Sequence, residues 1–257
     1  MLNYLCAEFY KVFHRKYTWI VLAVGLALET LLASGFLLIN GRGGYEDFTT
    51  GVSTLLMLLP LGFYATLLTG DMVFAGQYKN FTLKNEVSFG LSRARIYLGK
   101  LITQFVLSVL FCTVLIGFYL GLCWLGMYHD PERDARIMRI LGYCLAVMLP
   151  LWSGVQAVVC AMFFLIRSEL GGAFAAMGVF TVLPGVFWLG ANLAGVREVF
   201  GHAFMTAYDH MPTVMADNAY GMFGDRAFCG KAWIVGAIWF LVFTAIGLLG
   251  FHKKEIK

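Results

Sequence analysis

Charge is scarce in this chain. Only 13% of its 257 residues are Asp, Glu, Lys or Arg, about half the share of a soluble domain, so a solvated globular surface is excluded. The formal charge of +4 is small and spread along the chain. It cannot supply the concentrated basic face on which nucleic-acid binding rests. The 6 cysteines include no CxxC and no Cys/His ligand spacing, which excludes a disulfide scaffold and a zinc module. The 29 glycines show no triplet period. Among the five histidines there is no HExxH, and no G-x-S-x-G occurs, so metalloprotease and serine-hydrolase readings fail. A nucleotide-binding P-loop is missing as well: its nearest imitation, Gly224 to Lys231, has one residue too many and is followed by Ala232.

Hydrophobic residues are what the chain has, at 60% with a mean hydropathy of +0.76. That excludes disorder and reads as an all-α integral membrane protein. A bilayer core of about 30 Å needs about 20 mostly apolar residues per helix. Six stretches qualify: Tyr17 to Ile39, Val52 to Ala75, Leu101 to Tyr128, Ile137 to Ile166, Leu170 to Leu193 and Ala232 to Phe251. The first is too long for a signal peptide and follows an amphipathic segment, so it is read as a mature helix. Pro150 in the fourth predicts a kink or a break into two half-helices.

Six spans put both termini on one side. The terminal side then carries twelve of the Lys and Arg residues and the other side seven, and this bias places both termini in the cytoplasm. Cys6 is then cytoplasmic and Cys229 is the one cysteine facing outward.

Three segments are not simple spans. Leu2, Leu5, Phe9, Val12 and Phe13 recur at helical spacing with Glu8, Lys11 and Arg15 on another face, which predicts an interfacial helix over 1–16. The loop over 76–92 carries Lys79 and Lys84 with the aromatics Tyr78, Phe81 and Phe89. It reads as a short helix from Gly76 to Glu86, a Ser88-Phe89-Gly90 turn, and Ser92 capping a helix that enters the third span. Such a loop either anchors to lipid or docks a partner through its aromatics. In the outer segment 194–231, Phe200, Phe204 and Tyr208 recur every four residues, so a short helix dips into the outer interface. His202, Asp209 and His210 stand near one another there, but their spacing fits no standard metal site.

Two acidic residues fall inside spans. Glu29, at the centre of the first, is either a pathway carboxylate that meets a cationic substrate or a proton, or a protonated group bonded within the bundle. Asp71, near the inner end of the second, reads as an ion-pair partner.

Taken together, four stretches carry a resemblance. They are Ala7-Glu8-Phe9-Tyr10-Lys11-Val12 before His14-Arg15-Lys16, Gly76-Gln77-Tyr78-Lys79-Asn80, Ser92-Arg93-Ala94-Arg95-Ile96-Tyr97-Leu98-Gly99-Lys100, and Phe251-His-Lys-Lys-Glu-Ile-Lys257. In their order and spacing the chain resembles the ABC-2 type permease family, in particular small six-span permeases of bacterial antibiotic and lantibiotic-type peptide exporters. The resemblance implies a single transmembrane domain over 1–257, with 1–16 as connecting helix. It makes Gly76 to Glu86 a coupling helix that seats in an ATPase subunit through Tyr78, Lys79, Asn80, Phe81, Lys84, Glu86, Phe89 and Arg93. It also makes 194–231 a re-entrant outer gate with Phe200, Phe204 and Tyr208. The implied function is non-enzymatic: a permease subunit that moves an amphipathic or hydrophobic substrate, such as an antimicrobial peptide or lipid-like molecule, across the bacterial cytoplasmic membrane. ATP and Mg²⁺ belong to the partner ATPase and no cofactor to this chain. Six spans make half of a twelve-span pathway, so a second permease copy, like or unlike, is implied. Gly117-x-x-x-Gly121 and Ala157-x-x-x-Ala161 are faces where helices can approach closely. Two other classes fit the residues: a secondary transporter or channel using Glu29 as its proton or cation site, and a membrane immunity protein that sequesters a peptide without transport.

Overall fold

Short acceptor side chains mark where helices leave the loops. Asp47 accepts from Thr50 N–H, Ser92 from Arg95 N–H, Asp130 from Glu132 and Arg133 N–H, Ser168 from Gly171 N–H, and Asp225 from Ala227 and Phe228 N–H. Each satisfies backbone donors that the first helical turn leaves open. The computed structural model describes residues 1–77, 82–166, 168–193 and 195–254. Among these residues the regular structure is helical, and the only β-type pairing is an isolated bridge between Asp47 and Tyr128.

The elements run α1 (Leu2–Phe13), α2 (Lys16–Gly41), α3 (Phe48–Leu58), α4 (Leu61–Phe74), α5 (Thr82–Ser88), α6 (Arg93–Gly126), α7 (Pro131–Leu165), α8 (Glu169–Met177), α9 (Leu183–Asn192), α10 (Arg197–Asp209), α11 (Pro212–Asn218) and α12 (Arg226–Lys253). A wider π turn, Gly178–Val182, joins α8 to α9. Five helices are long and apolar enough to cross a membrane: α2, α6, α7, α8 with α9, and α12. The sixth expected span is α3 with α4, which pass the same test together but bend by 59° at their junction.

That bend falls at Pro60, whereas the sequence reading puts the interruption at Pro150. The helix α7 runs unbroken through Pro150. Two contacts hold it there: Ser153 Oγ donates to the Pro150 carbonyl at 2.7 Å, and Gly236 of α12 lies so close to the Pro150 backbone that a Cβ would collide with it. At Pro60 the two half-helices are instead fastened at their far ends. Phe48 N–H donates to Tyr128 O at 2.9 Å, and the Arg15 guanidinium bonds the Met72 and Ala75 carbonyls at 2.8 and 2.9 Å.

The helix α7 is the central pillar, 78% buried over its most apolar window, while the corresponding figure for α2 is 6%. Small residues explain this centrality. Ala157 and Ala161 are buried, and Gly154 meets the Trp239 side chain of α12. Lipid tails give no hydrophobic drive for one helix to meet another, so close packing and interhelical hydrogen bonds do the assembling. Gln104 Nε2 donates to Gln156 Oε1 at 2.5 Å, Ser108 Oγ to Thr69 Oγ1 at 2.6 Å, and Tyr119 OH to Gly51 O at 3.1 Å, all buried. The outward faces are leucine-rich, with Leu28, Leu31, Leu241 and Leu249 exposed. Bare apolar area of that extent marks a surface that faces lipid or another chain.

Candidate functional site

Both termini meet the start of α6 at one end of the bundle. There α1 lies against α6, and the carboxylate of Glu8 is buried between two lysines: Lys11 Nζ at 2.6 Å from Oε1 and Lys100 Nζ at 2.9 Å from Oε2. Burial alone would raise the Glu8 carboxyl, but Lys100 and then Lys11 outweigh it and hold the group below its ordinary value. Lys100 also lies over the Phe74 ring at 5.5 Å. The cluster continues into α5. Lys11 Nζ stands 3.7 Å from Glu86 Oε1, and the Tyr4 hydroxyl donates to Glu86 Oε2 at 3.1 Å. Burial first, and then the carboxylates of Glu8 and Glu86, push the Tyr4 phenol far above its ordinary value. Gly99 makes room for this tyrosine, since a Cβ there would strike its ring. One connected set of charges therefore ties α1, α5 and α6 together.

The sequence reading treated Lys100 and Glu8 separately, as part of the entry to the third span and as the polar face of α1. The available signal was local: Lys100 sits between Gly99 and Leu101, inside an apolar run where a lone ammonium needs a partner.

Of the expected cytoplasmic helix over Gly76 to Glu86, the described part is α5, Thr82–Ser88. Gly76 adopts φ +70, a left-handed conformation that ends the preceding helix, and the described helix begins at Thr82. Tyr78, Lys79, Asn80 and Phe81 lie outside the described residues. The others separate into two faces. Leu83 is buried and Glu86 turns toward α1, whereas Lys84 and Phe89 are exposed, Phe89 by 86%. Arg93 also turns inward. Its guanidinium donates to the carbonyls of Phe251, His252 and Lys254 at 2.6–2.7 Å and stacks over the Phe251 ring, closing the open carbonyls at the end of α12. Asp71, expected as an ion-pair partner, forms no salt bridge among the described residues; the nearby Arg15 bonds the Met72 and Ala75 carbonyls instead.

Midway along the bundle a groove of about 810 Å³ opens between α2, the α3–α4 bend, α6 and α7. Its walls are apolar, from Leu55, Leu58 and Phe63 to Ile116, Leu149 and Trp152, and Glu29 is the one charged residue among them. Glu29 Oε2 is buried and has no hydrogen-bond partner among the described residues. A carboxylate without a donor in an apolar cavity is an unfinished interaction. The groove is the size of pockets that take drug-sized ligands.

At the far end, α10 packs on α9, with Phe204 near Phe187 (centroids 6.2 Å apart) and pressed on Gly190. Phe200 is exposed and Tyr208 partly buried. None of the three lines the groove. No group of three or more His, Cys, Asp or Glu side chains placed to hold a metal occurs among the described residues.

These features define a multi-pass α-helical membrane protein with an apolar groove between its helices and a charged brace at its terminal end. The chain belongs to the ABC-2 family transporter proteins, whose family model matches residues 4–183. Members of that family are non-catalytic membrane subunits of ABC transporters. No curated protein and no solved structure matches the chain.

Proposed function

We propose that the chain is the permease subunit of an ABC exporter in the bacterial cytoplasmic membrane, with both termini cytoplasmic. A separate ATPase subunit, which holds ATP and Mg²⁺, seats against the loop over 76–92. A second permease copy completes the pathway. The cargo is an amphipathic or hydrophobic molecule, such as an antimicrobial peptide or a lipid-like compound, that enters the groove from the bilayer with its cationic or donor group on Glu29. Phe200, Phe204 and Tyr208 stand at the outer gate, and Gly121, where an added Cβ would meet no neighbouring helix within 4 Å, offers α6 to the second copy.

The observation that carries this reading is the charged brace. Glu86 of α5 reaches Glu8 and Lys100 through Lys11 and Tyr4, so a push on α5 is delivered to α6 at Lys100, 9 residues before α6 begins to line the groove at Val109. Lys84 and Phe89 on the opposite face remain for the ATPase, together with Tyr78, Lys79, Asn80 and Phe81. The unpartnered Glu29 oxygen also suits a secondary transporter with a proton site there, and one preparation separates the two. A tagged chain co-expressed with an ABC ATPase should retain that ATPase and show ATP-dependent transport. Phe89→Ala with Lys84→Glu should weaken retention about thirtyfold, the effect of losing an anchor of about 2 kcal/mol, with membrane insertion unchanged. Retention at the natural level overturns the docking face, and transport driven by a proton gradient without ATP overturns the exporter.

A further inference from the structure

A second cavity lies across a thin wall from the groove. It measures about 340 Å³ and is built by Ser53, Met57 and Pro60 at the α3–α4 bend, by Cys144 and Met148 of α7, and by Asp217 of α11. Met148 lines both cavities and is itself 7% exposed. The depth of this cup follows from how α11 is held. Thr213 Oγ1 donates to the carbonyl of Phe180 at 3.3 Å, and Phe180 is the midpoint of the fifth span. Pro60 is the midpoint of the second. The segment after α10 thus folds back against the bundle and sets Asp217, itself exposed, on the lining of the cup opposite Pro60, where a carboxylate beside apolar walls calls for a path or a partner.

We propose that the cup is a second binding station for the same molecule the groove receives, with Asp217 taking over its cationic group from Glu29 once the Met148 side chain swings aside. This rests on the reading of the groove as the substrate site. The chemistry of the two cavities is matched: each offers one carboxylate above an apolar floor. An alkyl body rests in either without a polar partner, but an ammonium moved through apolar space is costly unless a carboxylate stands at each resting place. Because Met148 lines both cavities, its movement would join the space that holds Glu29 to the space that holds Asp217. Methionine suits the wall, because its unbranched thioether changes rotamer without disturbing the helix that carries it. The ligand class is therefore a single-headed cationic amphiphile, or a peptide that presents one ammonium at a time.

Reporters stand in both cavities. Cys112 lines the groove and Ser53 lines the cup. Two full-length chains in phosphatidylcholine nanodiscs, with the remaining native cysteines replaced by alanine, would carry either Cys112 alone or Ser53→Cys alone. The measurement is the rate of modification by neutral methyl methanethiosulfonate with and without dodecylammonium, dodecanol serving as the uncharged control. Dodecylammonium should slow both reactions. Glu29→Gln should weaken its protection of Cys112 about tenfold, and Asp217→Asn should weaken protection at position 53 by the same factor with Cys112 still protected, the scale of one lost hydrogen bond to a charged group. Asp217→Ser, judged monodisperse by gel filtration, repeats the test in case the amide disturbs folding. Absence of protection at Cys112 removes the groove reading and the proposal with it. Protection at Cys112 without protection at position 53, or protection at position 53 that survives both Asp217 variants or is equalled by dodecanol, overturns the cup alone.

Discussion

Lys100 and Glu8 are each about 1% exposed, so neither can turn to water if the other is lost. Removing one partner of a buried pair costs about 3–5 kcal/mol. Because Lys11 still holds Glu8, Lys100→Met should cost about 3 kcal/mol, read as a lowered thermal midpoint in detergent. Glu8→Leu combined with Lys100→Met should recover most of the loss, since apolar replacement of a whole buried pair is close to neutral; a double variant as unstable as the single would mean that the brace does more than satisfy two charges. His129 at the far end shows a second electrostatic device. Its Nδ1 lies 2.9 Å from Asp134 Oδ2 and its Nε2 2.8 Å from the Trp124 carbonyl, so both ring nitrogens face acceptors. The Trp124 carbonyl, and after it Asp134, raise the imidazole above its ordinary value of 6.5. A raised folded value means stability that is fully present below about 6.5 and is lost as pH rises through the folded value. The thermal midpoint should therefore fall above pH 6.5, and His129→Gln should remove that part of the slope. An unchanged slope in the variant would assign the pH dependence to other groups.

Between elements, packing is decided by single missing methyl groups. A Cβ on Gly236 meets the Pro150 backbone, which cannot rotate out of the way, whereas a Cβ on Gly121 meets nothing within 4 Å. Gly236→Ala should thus destabilise the α7–α12 pair by about 1–3 kcal/mol, the usual cost of overpacking. Gly121→Ala should leave the monomer's melting curve as it is. Equal curves for both variants would contradict the close approach of these helices. The same contact explains why the interruption expected at Pro150 is absent. A proline weakens its own helix in either place, and whether the helix then bends depends on what braces it. At Pro150 a neighbouring glycine and Ser153 supply the brace, while at Pro60 the half-helices are pulled toward separate anchors at Tyr128 and Arg15.

For the molecule as a whole, the fold fixes which ends lie together, and the distribution of Lys and Arg proposes which end faces the cytoplasm. Cys6 is exposed and Cys229 partly exposed, at opposite ends of the bundle. In intact cells a membrane-impermeant maleimide should label Cys229 and spare Cys6, and permeabilised cells should label both. Labelling of Cys6 alone would invert the orientation. The bundle also gathers residues far apart in sequence. Glu29 and Trp152 line one groove, and Asp217 stands beside Pro60 in the other cavity.

The sequence alone determined that the chain is a helical membrane protein, in which stretches its apolar helices lie, and that Ser92 starts the helix entering the third span. Those properties depend on hydrophobic length and on hydrogen bonds within a turn, both of which are local. It also pointed to Glu29, because a carboxylate at the centre of an apolar run is conspicuous without any neighbour. Only the tertiary structure decided that Glu8 and Lys100 form one buried pair, that Glu86 and Arg93 turn inward while Lys84 and Phe89 turn out, and that Asp217 is carried to the level of Pro60. Each of these depends on which helix faces meet, and lipid-exposed helices that are apolar all round have no periodic stripe from which that choice can be read. Close contacts at Gly99, Gly154 and Gly236 and a few buried polar pairs settle it instead.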